Sequence, residues 1–254
     1  MNVRRQLTLF RMLVAIDALL VLATYLWFTP EQLSGTRGLP LPAMSIPTWQ
    51  LALVNAGTVV VLYGLLGRIG FAFALKLDLT GIYRKWAGWR AWFIDPMQTG
   101  LAVGVAMVAI DRLFVFFGQG EPFRHPPLPL SLYVTAVAGI GEEILFRVFL
   151  LGFCALLLDF LLWRPLGSRA ILWIANAIAA LAFGAAHLPS VMALMGAATP
   201  FDLSVPTLVD LFLVDGILGL AAGKWYVKEG LVAAIGVHFW AGIMWHVIGP
   251  MFSL

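Results

Sequence analysis

Apolar residues in this chain are gathered in long runs instead of alternating with polar ones. Seven runs reach the roughly 20 residues that a helix needs to cross a bilayer. They cover about residues 9–28, 49–71, 97–117, 131–160, 170–195, 207–226 and 231–252. Short polar stretches rich in proline separate them, with Pro40, Pro42 and Pro47 in one and Pro122, Pro126, Pro127 and Pro129 in another. These read as connecting loops rather than domain linkers. The pattern predicts an all-α polytopic membrane protein, with seven spans or eight if one short piece re-enters. Residues 1–254 are read as a single transmembrane domain.

Composition agrees with this reading. Residues are 61% hydrophobic and 11% charged, against about 25% charged in soluble domains. The net charge of +3 is therefore read as topology, not as a nucleic-acid footprint. Lys and Arg collect in cytoplasmic loops. Here they fall in the N-terminus (Arg4, Arg5, Arg11), the second loop (Arg68, Lys76, Arg84, Lys85, Arg90), the fourth (Arg164, Arg169) and the sixth (Lys224, Lys228); the alternate loops hold Arg37 and Arg124. The alternation predicts a cytoplasmic N-terminus and an external C-terminus, in the cytoplasmic membrane of a bacterium or archaeon. The expected surroundings are lipid, with no nucleic-acid partner. The first run is too long for a signal peptide and is read as a retained anchor. The lone Cys154 excludes a disulfide framework. In the second loop, Trp86, Trp89, Trp92 and Phe93 among basic residues suit either an interfacial amphipathic helix or an ordinary aromatic belt.

Polar residues inside the apolar runs carry the chemical information. Glu142 and Glu143 are adjacent within SLYVTAVAGIGEEILFRVFLLGFCALLLDFLLW, Ser131 to Trp163. Carboxylates at bilayer depth are costly, and they tend to be paired or functional. Arg147 lies one helical turn after Glu143, where it can pair, while Glu142 points about 100° away. Other spans supply His187, followed by Pro189, and His238, His246, Asp215 and Asn176. Carboxylates and histidines on separate apolar helices are cheaper to bury together than apart. Asp215, beside Gly216 and Gly219, is read as a close-packing position. Asp111 and Arg112, near a span end, are placed to snorkel.

Such a cluster supports two routes to hydrolysis. A carboxylate and a histidine can activate water while a second histidine stabilises an oxyanion. Alternatively, two histidines and a glutamate can hold zinc, which acidifies bound water. A proton or ion relay is a third use of the same residue types.

Glu142-Glu143-x-x-x-Arg147, then Phe183-x-x-x-His187, then Gly236-Val237-His238-Phe239 resembles the CAAX protease and bacteriocin-processing (CPBP) family of intramembrane endopeptidases. The likeness covers about residues 131–250, and the first three spans match in character only. It implies cleavage of a peptide bond in a membrane-associated substrate, either a prenylated CAAX-type protein or a leader or sorting signal. By the same likeness Glu142 and His187 activate water, Arg147 holds Glu143, His238 faces the oxyanion and Phe183 walls the site. The family's last motif reads H-x-x-x-N, whereas this chain has Gly242 there. That missing donor makes a noncatalytic scaffold or regulator the alternative. It also leaves His246, two turns further along, as a substitute donor.

No cofactor is favoured. If zinc or another divalent metal is used, Glu142, His187 and His238 are its ligands. The metal-free route is preferred because no carboxylate is evident to orient either imidazole. Depth raises one conflict. Glu142 and His187 lie about 25 Å from the cytoplasmic ends of their helices but His238 only about 12 Å, at 1.5 Å per residue. A shared site then needs tilt, or a last helix that starts earlier, near Tyr226.

Overall fold

The computed structural model describes residues 3–29, 32–33, 46–84, 88–118, 123, 125–163 and 168–252. Among these residues every regular element is helical. Seven helices are long and apolar enough to span: α1 Val3–Trp27, α2 Thr48–Lys76, α3 Arg90–Phe116, α4 Leu130–Leu162, α5 Arg169–Met195, α6 Val205–Glu229 and α7 Leu231–Met251. The chain is an integral membrane protein by this count and by its apolar surface. Leu53, Val61, Leu65, Phe116 and Phe160 all stand exposed, a cost water would impose and lipid does not. The readings made on Arg37, Pro40, Pro42, Lys85, Trp86, Pro122, Arg124 and Arg164 lie outside the described residues.

Four of the helices change pitch. α2 widens to π turns at Val59–Tyr63, α3 at Arg90–Ile94, α4 at Ile144–Leu151 and α7 at Ile243–Ile248. In α4 the wide turns begin directly after Glu143 and carry Arg147; such turns are frequent at functional sites. Simple 3.6-residue spacing could not anticipate them. α5 runs unbroken through Pro189.

Close helix approach is built from small residues, as expected where lipid offers no hydrophobic drive between helices. A side chain on Gly219 of α6 would meet Ala180 Cβ of α5 at 2.8 Å. On Gly100 of α3 it would strike the Val237 carbonyl of α7. Both contacts pull the histidine-bearing helices α5 and α7 against their neighbours.

The second loop has two parts, and Trp89 and Phe93 in the later one stand exposed. Residues 77–84 fold inward: Leu77, Leu79 and Ile82 are buried. Gln6 of α1, itself buried, clamps this loop. Its Nε2 donates to the Tyr83 carbonyl at 2.8 Å, and its Oε1 accepts from the Ile82 and Tyr83 N–H groups at 2.8 and 3.1 Å. The loop in turn meets the α6–α7 turn, where Gly230 has φ +97° and a side chain would collide with Ile82 at 2.9 Å. Leu231 and Val232 N–H groups donate to the Gly81 and Ile82 carbonyls at 3.0 Å each. These bonds satisfy two of the donors a helix start leaves open. α7 therefore begins at Leu231, not near Tyr226, because Gly230 ends α6 after Glu229. With that start, His238 Nε2 still comes within 3.7 Å of Glu142 Oε2.

Asp111, expected to snorkel, is buried, with Arg112 Nε 3.8 Å from its Oδ2. Cys154 is buried in the core.

Candidate active site

Glu142 sits on the last α-helical turn of the first part of α4, and two imidazoles converge on it from different helices. His187 of α5 places Nε2 4.0 Å from Glu142 Oε1, and His238 of α7 places Nε2 3.7 Å from Glu142 Oε2. Side-chain exposure separates the group into two layers. Glu142 and His187 are 28% and 34% exposed, so water can reach them, while Glu143 and Arg147 are 0% exposed.

The Nδ1 atoms face the other way. His238 Nδ1–H donates to Glu143 Oε1 at 2.9 Å. His187 Nδ1–H donates to the Phe183 carbonyl at 3.0 Å, with Asp215 Oδ2 of α6 3.3 Å from the same nitrogen. Acceptors behind both Nδ1 atoms fix the tautomer, so both Nε2 atoms look toward Glu142. Asp215, read above as a packing position, is thus a carboxylate beside His187. The expectation that neither imidazole has an orienting carboxylate is overturned for both.

Arg147 Nε lies 3.2 Å from Glu143 Oε2. This is the ion pair expected from their spacing, and it is fully dry. Arg147 also stands over the Phe183 ring, 5.4 Å from its centroid. Phe183 packs edge-on against His187 at 4.8 Å and His238 at 5.7 Å, so it walls the space between them.

Gly242, one turn after His238, borders Thr135 of α4. A Cβ there would meet Thr135 Cγ2 at 2.6 Å and Oγ1 at 3.4 Å. Thr135 occupies the room a larger residue at 242 would need, two turns before Glu142 on its own helix. Its hydroxyl is buried and has no hydrogen-bond partner among the described residues. His246 does not fill that role: its Nδ1 is 3.3 Å from His125 Nδ1. Asn176 lies elsewhere, donating to the Leu220 carbonyl.

Two features escaped sequence reasoning. Thr135 carries no signal that distinguishes it from an ordinary helical threonine. Asp17 was visible as a lone carboxylate within α1. It is completely buried, with neither oxygen hydrogen-bonded among the described residues. Its position is beside Gly141, where a Cβ would lie 3.1 Å from Asp17 Oδ2. A cavity of about 270 Å³ between α1, α2 and α4, lined by Tyr25, Tyr63, Val134 and Val137, reaches Glu142 from that side.

Whether the group fits a metal can be judged from spacing. A tetrahedral zinc with bonds of about 2.0–2.1 Å sets its ligand atoms about 3.3 Å apart. The two Glu142–imidazole separations, 3.7 and 4.0 Å, are wider. Among the described residues no group of three His, Cys, Asp or Glu side chains is set to hold a metal ion. As positioned, the three residues do not fit zinc.

No curated protein and no solved structure matches the chain. The matched family, a protease family, is described as type II CAAX prenyl endopeptidase Rce1-like and spans the helices that carry Glu142, His187 and His238. Residues 124–244 match the model of that family, so this part of the chain is similar to Rce1-like type II CAAX prenyl endopeptidases.

Proposed function

We propose that this protein hydrolyses a peptide bond of a membrane-associated substrate with a water held between Glu142 and His187. The observation that carries the reading is the convergence of both imidazole Nε2 atoms on one partly wet carboxylate. Glu142 takes a proton from the water as its oxygen attacks the scissile carbonyl, and His187 orients the same water. The tetrahedral oxyanion is faced by the Thr135 hydroxyl, whose lack of a partner leaves it free to donate, and by His238, which in this role carries a proton on Nε2 as well as the Nδ1–H held by Glu143. Glu142 then returns the proton to the leaving amine, giving one acid and one amine from one peptide bond and one water. Glu143 and Arg147 position His238 from behind, and Asp215 positions His187.

Thr135 beside Gly242 favours this reading over the scaffold alternative, since its hydroxyl lies next to the place where the glycine leaves no side chain. The cavity between α1, α2 and α4, with Val21, Leu33, Val134 and Val137 on its walls, can take a hydrophobic group next to Glu142, and a prenylated CAAX-type peptide is the substrate class proposed.

The test is turnover of a fluorogenic prenylated peptide by full-length protein in nanodiscs, with Glu142→Gln as comparison. This variant keeps shape and removes charge. A rate loss of roughly 10²–10⁴-fold, with unchanged thermal stability, is expected. Parental turnover by the variant sinks the assignment.

A further inference from the structure

A second cavity, with basic residues at its border and largely apolar walls, lies away from Glu142, at the end of the bundle where α5 begins and α6 ends. Its volume is about 230 Å³, and Arg169, Trp173 and Asn176 of α5 line it with Lys224 and Lys228 of α6. Three cations border one small space. Lys228 is already engaged, 3.8 Å from Glu229 and over the Trp225 ring. Arg169 and Lys224 have no acidic partner among the described residues, and both are exposed. The start of α5 adds the partial positive charge of a helix N-terminus, where Ser168 caps the Ile171 N–H.

The floor of the cavity carries a different demand. Asn176 is 2% exposed. Its Nδ2 donates to the Leu220 carbonyl at 3.0 Å, which fixes the amide orientation and leaves Oδ1 as acceptor. That oxygen has no partner among the described residues and abuts Gly223, which also borders the cavity. A buried acceptor without a donor is costly. Trp173, 45% exposed, gives the outer wall an apolar surface on the lipid side.

We infer that this cavity binds the headgroup of an anionic phospholipid that carries a hydroxyl. The phosphate sits against Arg169 and Lys224, the hydroxyl donates to Asn176 Oδ1, and the acyl chains run along Trp173. The ligand is a membrane lipid, because the opening is flanked by apolar helix faces and cations between spanning helices recognise lipid phosphate. The inference is independent of the chemistry at Glu142.

The experiment measures lipid retained by the full-length protein, using native mass spectrometry after exchange into defined mixtures. Phosphatidylglycerol should be retained roughly tenfold over phosphatidylcholine, with phosphatidylmethanol, of equal charge and no hydroxyl, in between. Arg169→Ala with Lys224→Ala, at two exposed positions where folding is not at stake, should abolish the preference. Equal retention of phosphatidylglycerol and phosphatidylcholine, or a preference that survives the double variant, overturns the site. Displacement of the lipid by millimolar inorganic phosphate overturns the lipid as source. Equal retention of phosphatidylmethanol and phosphatidylglycerol overturns the role of Asn176.

Discussion

His238 and Glu143 are joined across two helices by a 2.9 Å hydrogen bond in a region without solvent. Glu143 uses its other oxygen for Arg147 at 3.2 Å. One buried carboxylate therefore answers to both a cation on its own helix and an imidazole from α7. Losing either partner changes what the remaining one must balance.

Arg147→Ala leaves Glu143 with the imidazole alone in a dry interior. Breaking a buried pair costs about 3–5 kcal/mol, and the bond to His238 places this case at the lower end. Folded yield in detergent and the thermal midpoint should both fall. Adding Glu143→Gln should recover part of the stability but not the rate, since Gln can still accept from His238. An Arg147→Ala protein as stable as the parent would show that the pair carries no weight.

Asp215→Asn tests the carboxylate beside His187 Nδ1. The Phe183 carbonyl still accepts from that nitrogen, so folding should be little changed. The rate constant kcat should drop by roughly 10–100-fold, the usual size for residues that orient an imidazole, with KM nearly constant. An unchanged kcat would return Asp215 to a packing role.

Gly242→Asn, which restores the family's residue, should impair this chain. The new Cβ meets Thr135 at 2.6 Å, and overpacking costs about 1–3 kcal/mol. Combining it with Thr135→Ala should relieve the clash and recover activity. Thr135→Val, which keeps shape and removes the hydroxyl, should lower kcat by roughly 10²–10³-fold if the hydroxyl faces the oxyanion. Full activity in Thr135→Val would remove the threonine from the reaction.

Treatment with a strong chelator should leave hydrolysis unchanged, because the Glu142–imidazole distances of 3.7 and 4.0 Å are wider than a tetrahedral zinc sets. Carboxylates stand behind both imidazoles, so spacing alone now supports the metal-free route. Activity lost to chelator and restored by one equivalent of zinc would make Glu142, His187 and His238 ligands.

His125 lies in the loop before α4. Burial, with the nearby Arg112 charge as the smaller cause, lowers its pKa from 6.5 to about 4. Between those two values the unfolded chain binds a proton that the folded loop refuses. Stability should therefore fall as pH drops from about 6.5 toward 4. Thermal unfolding at pH 7 and pH 4.5 should show a smaller difference for His125→Gln than for the parent. Equal differences would exclude His125 as the source.

Much of the architecture was legible before any coordinates. The seven spans follow from run length alone, since few alternatives bury that much apolar surface. That Glu142, Glu143, Arg147, His187 and His238 lie together was readable from their order on successive apolar helices. Contacts between helices were not. Asp215 looked like packing because its glycine neighbours do mark close approach, and only the crossing of α5 and α6 brings it to His187. Thr135 and Asp17 needed the third dimension for the same reason. The inward fold of residues 77–84 was hidden because the basic and aromatic residues that follow it, from Lys85 to Phe93, read as a surface segment.

The clamp from Gln6 through residues 80–83 to Leu231 and Val232 gives the first span an unexpected stake in the site. The N–H groups that start α7 find their acceptors before residue 124, outside the matched region. A chain cut there would leave two donors bare in apolar surroundings, each costing a few kcal/mol. His238 stands two turns beyond them. Register, not chemistry, is what α1 and the loop lend to the reaction. Changes at Gln6, remote from any reacting atom, should therefore shift where His238 meets Glu142.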